Sequence, residues 1–144
     1  MQELEVEKIL ILYPAIAMFF CTFSVIGLLG MSRYRAIHNR EVSIKYYEKY
    51  TDGQQTDRLH ILNRHVQNHF EVPPLFYIGI ILLFITDTVT LLALISAWGF
   101  VLLRCIHSTI HLGRNNVSQR FFCFGLSLIS LFLLWASLLV QMLS

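Results

Sequence analysis

Residues 9–30 run apolar for about the 20 positions a membrane-spanning helix needs, and residues 121–143 repeat the pattern, broken by Gly125 and by serines that can bond back to their own helix. Between them, residues 72–103 are apolar except for one polar knot, Thr86-Asp87-Thr88-Val89-Thr90. A single helix through this region would bury Asp87 mid-membrane, at roughly 2.5–3.5 kcal/mol. A hairpin instead puts the knot at the far surface, with Asp87 or Thr88 capping the next helix. Each arm, 72–85 and 91–103, then has only about 14 apolar residues, too few to cross. Both must recruit polar flanks, back from Ile85 to the neighbourhood of Arg64 and forward from Leu91 to His111. The pattern therefore predicts four spans, near 8–31, 60–86, 89–112 and 118–143, in one domain covering residues 1–144.

This recruitment draws two rows of polar side chains to the same depth. Arg64, Asn68 and Glu71 share a helical face at i, i+4 and i+7, and Arg104, His107, His111 and Arg114 form a second row. A lone arginine at such a place ordinarily snorkels to the headgroups. Two rows at one depth argue for a shared pocket. Glu71, short and deep, needs a cationic partner such as Arg64 or an arginine of a neighbouring helix. Pro73 and Pro74 follow at once and are expected to bend one continuous helix, since a helix starting there would be too short to cross.

Composition agrees with a membrane chain: 56% of the 144 residues are hydrophobic and 14% charged, against roughly 25% charged in soluble domains. The net charge of +2 is too small to suggest a nucleic-acid partner. Its distribution is more informative, because Arg33, Arg35, Arg40, Lys45, Lys49 and Arg58 crowd the first loop, Arg114 lies in the third, Arg64, Arg104 and Arg120 lie close to the same side, and only Lys8 lies elsewhere. By the positive-inside rule both loops are cytoplasmic and both termini face the other compartment. The acidic start argues against a removable signal, and although Ala15-Ile16-Ala17 mimics a cleavage site, uninterrupted apolar sequence follows it. Cys21, Cys105 and Cys123 show no paired spacing and read as small buried hydrophobes.

His65 with His69, and His107 with His111, have the i, i+4 spacing of metal ligands, but interspersed arginines repel a cation and no metal site is expected. An arginine-lined pocket at membrane level suits a small ligand bearing carboxylates, which guanidinium forks bind bidentately. If that ligand carries a thiol, a nearby cation favours the thiolate by about 1–3 pKa units, and attack on a lipid-soluble electrophile follows.

These residues resemble a known family. Arg64-x3-Asn68-x2-Glu71 followed by proline, four spans and a basic first loop are similar to the membrane-associated proteins in eicosanoid and glutathione metabolism (MAPEG). The segment from Arg104 to Arg120, RCIHSTIHLGRNNVSQR, resembles the third-helix end of the prostaglandin E synthase branch, and the N-x-x-E-x-P and H-S-x-I-H segments look like those of bacterial members. The resemblance implies an all-α, four-helix membrane bundle that assembles as a homotrimer and binds glutathione between subunits near the cytosolic surface. It assigns Arg64, Asn68, Glu71 and His107 to holding glutathione, with Glu71 on the tripeptide's amino group, and Arg33 more loosely to a carboxylate. Arg120 matches the arginine that supports the thiolate. His111 departs from the pattern: several members carry a tyrosine there, and a histidine could donate to sulfur or act as a base. The implied activity is a glutathione-dependent transferase or peroxidase acting on small hydrophobic electrophiles, in a bacterial inner membrane or, in a eukaryote, the endoplasmic reticulum. The alternative is a non-enzymatic lipid-binding or scaffold protein of the same fold.

Overall fold

The structure, a computed structural model, describes residues 7–50, 55–113 and 115–143, and contains no strand among them. A 3-10 turn, Lys8–Ile11, leads into α1 (Leu12–His38); a single turn α2 (Tyr46–Lys49) follows, then α3 (Asp57–Glu71), α4 (Pro73–Ile85), α5 (Leu91–Leu112) and α6 (Val117–Leu143). Four stretches are long and apolar enough to cross a membrane: Lys8–His38, Asp57–Ile85, Leu91–Leu112 and Val117–Leu143. Their outer faces expose Phe19, Phe23, Ile81, Ile85, Leu102, Ile129 and Phe132. Such a surface is a liability in water but is the natural solvent-facing surface in lipid, where helices satisfy their backbone internally.

α1 runs beyond residue 31, where its apolar run ends. Its inward positions continue through Leu29 and Ala36, which pack with Val42, Leu59 and Leu62 and with the partly buried Tyr46 and Tyr47. Packing of this face, rather than apolar composition, sets the length of the helix. The phenol of Tyr47 is shielded, and burial pushes its pKa above the usual value.

The proline pair does not bend one helix. α3 ends at Glu71, Val72 has φ −99° and ψ −45°, and Pro73 and Pro74 occupy the first turn of a separate α4, the place where proline's missing N–H costs least. α3 and α4 together still make one span, so the two short helices reach jointly what neither reaches alone.

The hairpin after α4 also differs from expectation at its cap. Asp87 adopts a left-handed backbone, φ 57°, and Thr90 caps α5, its hydroxyl accepting from the Ala93 amide at 3.1 Å. Thr90 stands three positions after the turn-former and directly before the first helical residue, so neither Asp87 nor Thr88 is placed to cap. Asp87 meets Lys8 at 3.3 Å instead, a solvent-exposed pair that sets the start of α1 at the hairpin end of the bundle.

α5 and α6 form the most extensive interface. With α4 and the start of α1 they enclose a core of Ile11, Met18, Phe76, Ile80, Ala97, Phe100, Leu134 and neighbours, in which Phe76 and Phe100 stack at 4.6 Å. Gly79 lets α4 approach α6 closely, and Trp135 Nε1 donates to the Leu75 carbonyl at 3.2 Å. The polar residues lie between this core and the smaller one at the loop end.

Candidate functional site

α3 carries two faces. Leu59, Leu62, His65 and His69 turn inward, while Arg64 and Glu71 are exposed and Asn68 is half-buried. α5 presents Arg104, His107, Ser108 and His111 to the interior. At the start of α6, Asn116 Oδ1 accepts from the Gln119 amide at 3.1 Å and caps the helix. Val117, Arg120, Phe121 and Phe124 then share one face by helical spacing.

These three elements enclose a cavity of about 210 Å³ lined by Arg64, Asn68, His107, Val117, Arg120, Phe121 and Phe124. Its lining combines two guanidinium groups, an amide and an imidazole with two aromatic rings and a valine. Arg64, Asn68, His107 and Arg120, all anticipated from sequence, thus meet around one space. The apolar lining from α6 was not anticipated, although its i, i+4, i+7 spacing was the available signal.

The other three anticipated residues lie elsewhere. Glu71 is exposed outside the lining, and Arg64 is not its partner: the Lys8–Asp87 pair is the only ion pair among the described residues. His111 is buried behind the cavity, its ring 5.8 Å from that of His107. Arg33 belongs to the α1–α3 contact, where Nη2 donates to Asn63 Oδ1 at 2.6 Å and the guanidinium lies 5.5 Å from the Tyr47 ring. Arg114 lies outside the described residues.

Hydrogen bonds assign protons at this site. A carbonyl can only accept, so the 3.1 Å contact between His107 Nδ1 and the Arg120 carbonyl places the proton on Nδ1 of the neutral ring and leaves Nε2 as a lone pair. Ser108 donates to the Arg104 carbonyl at 2.9 Å, so its oxygen accepts from His69 Nε2 at 3.2 Å. His69 Nδ1 is then free to accept from Thr22 at 3.0 Å. One imidazole therefore ties α1, α3 and α5 together.

Arg104 is fully buried and donates through Nη2 to the Asn68 carbonyl at 2.7 Å. This is the last turn of α3, where carbonyls carry partial negative charge that suits a cation. The face of Phe124 lies 5.8 Å from the guanidinium. Around it, His65 packs at 4.9 Å from His69, 4.7 Å from His111 and 5.9 Å from His107. Among the described residues, no three histidines, cysteines or carboxylates are arranged to hold a metal ion.

A model of the MAPEG family matches residues 11–140, nearly the whole chain. No curated protein and no solved structure matches it.

Proposed function

The chain belongs to the MAPEG family, and from that premise we propose that it is a membrane-embedded, glutathione-dependent transferase or peroxidase acting on lipophilic electrophiles. Family membership and four membrane-length helices make it an integral, multi-pass membrane protein of a broadly glutathione-related class. The single observation that supports the finer reading is the cavity itself, which Arg64 and Arg120 line together with Phe121 and Phe124. Guanidinium forks suit the carboxylates of a tripeptide, and the aromatic wall suits a lipophilic co-substrate at bilayer depth.

In this reading Arg64 and Asn68 hold the tripeptide, with His107 beside them, and Arg120 faces the sulfur. The S–H proton passes to the free Nε2 of His107 or to water, the thiolate forms a bond to the electrophilic carbon, and the leaving group departs with its electron pair. At about 210 Å³ the cavity is smaller than the roughly 300–1,000 Å³ of usual ligand sites. A second copy of the chain completes it, and the exposed Glu71 takes the ligand's ammonium group at that junction. His111 and Arg33 act from behind and beside the cavity. The basic loops face the cytoplasm of a bacterial inner membrane, or the cytosolic side of the endoplasmic reticulum in a eukaryote.

The test is calorimetric titration of the purified protein with glutathione, followed by conjugation to a model aryl halide. Absence of binding at millimolar glutathione removes the proposal. A second reading, a lipid-binding or scaffold protein, draws on the structural bonds of Arg120, whose Nη1 donates to Asn115 Oδ1 at 2.6 Å; it predicts that glutathione leaves the protein unaffected.

A further inference from the structure

Two of the three cysteines meet across the bundle, although 84 positions separate Cys21 from Cys105 in the chain. The hydrogen-bonded bridge described above sets the level at which they do so. Thr22 of α1 bonds His69 at 3.0 Å, and His69 bonds Ser108 of α5 at 3.2 Å, so residues 21–22 of α1 stand opposite residues 104–108 of α5. Cys105 lies three positions before Ser108, on the same face of α5. That register sets Cys21 of α1 at the level of Cys105 and Ser108 of α5, with the two thiols close enough to interact. Both cysteines are free and half-buried. Their immediate neighbours Phe20 and Ile106 are exposed on the lipid-facing surface.

We propose that Cys21 and Cys105 are a dithiol modification site, oxidised to an interhelical disulfide by lipid-soluble hydroperoxides. The reagent class follows from the surroundings: a charged tripeptide disulfide does not enter this apolar flank, whereas an alkyl hydroperoxide dissolves in it. One thiolate attacks the peroxide oxygen, the O–O bond breaks, and an alcohol and a sulfenic acid result. The second thiol then attacks that sulfur, the S–S bond forms and water leaves. Two thiols are oxidised and one hydroperoxide is reduced to alcohol and water. The disulfide would pin α1 to α5 beside the imidazole bridge. None of this depends on the glutathione reading.

The experiment treats the purified full-length protein with cumene hydroperoxide, counts free thiols, and maps linked peptides by mass spectrometry. The expected result is loss of two of the three free thiols, an intact mass lower by two hydrogens, and a Cys21–Cys105 cross-linked peptide that dithiothreitol removes. Cys105→Ser abolishes the link and Cys123→Ser leaves it in place. A link through Cys123, a covalent dimer, oxygen added to separate cysteines without a cross-link, or survival of all three thiols overturns the proposal. Mapping on the unaltered protein keeps the test valid even if a serine variant folds poorly.

Discussion

Replacing Arg120 by alanine separates chemistry from architecture. In the structure the side chain makes one hydrogen bond, from Nη1 to Asn115 Oδ1 at 2.6 Å. The contact that orients His107 uses the Arg120 backbone carbonyl, which alanine retains. The structural cost is therefore that of one partly exposed hydrogen bond, about 0.5–1.5 kcal/mol. The chemical cost is larger. A guanidinium about 4 Å from a thiolate contributes on the order of 4 kcal/mol at the effective dielectric of a protein surface. Observed shifts beside a single cation are about 1–3 pKa units, at about 1.36 kcal/mol each, and correspond to a 10- to 1,000-fold change. The variant is expected to keep its melting temperature within a few degrees and to bind glutathione, while kcat/KM for aryl halide conjugation falls in that range. The reasoning is refuted if Arg120→Ala binds glutathione and turns over at the normal rate. A variant that loses its assembly before its activity supports the scaffold reading instead.

Gly79→Ala is expected to destabilise the bundle by about 1–3 kcal/mol, because its Cβ would stand 2.6 Å from Leu134 Cδ2 and 3.2 Å from Trp135 Nε1. Gly27→Ala, with nothing within 4 Å, serves as the control in thermal unfolding in detergent, and a larger loss there would contradict the packing argument. Ser108→Ala strips the acceptor from the buried His69 Nε2–H and should cost roughly 1–3 kcal/mol, whereas removing the exposed Thr109 hydroxyl should change stability by less than about 0.5 kcal/mol. Equal effects from these two variants would argue against the imidazole bridge. Tyr47 titrates above its usual value in the folded chain because burial disfavours the phenolate. Its stabilising contribution is thus complete below the unfolded pKa and is lost as pH rises through the higher folded value. Limited proteolysis of the first loop should accelerate in strongly alkaline buffer for the native protein, and less for Tyr47→Phe; identical profiles would exclude Tyr47 as the titrating group.

Much of the bundle could be read along the chain. Two long apolar runs, and a third region divided by a knot around Asp87, leave four crossings as the only economical arrangement, since unpaired backbone is not tolerated in hydrocarbon. The shortness of the middle arms then draws Arg64, Asn68, His107 and His111 to one depth. Depth depends on chain position alone, because a helix rises by a constant amount per residue. For that reason Arg64, Asn68 and His107 could be placed near one another before any contact was known.

Rotation about each helix axis has no such local determinant. Glu71 lies beyond the cavity, His111 behind it and Arg33 beside Tyr47, because packing between neighbours selects which face turns inward, and long polar side chains tolerate several choices. The same holds for His65 and His69, whose i, i+4 spacing says that they share a face but not which one. Caps are similarly ambiguous where Asp87, Thr88 and Thr90 all qualify by residue type and only backbone geometry selects Thr90. The meeting of Cys21 with Cys105 leaves no trace in spacing at all, since contact between distant helices depends on their relative register and rotation. Length and polarity thus dictated how many times the chain crosses and how deep each group lies; side-chain packing among the helices dictated which of those groups touch.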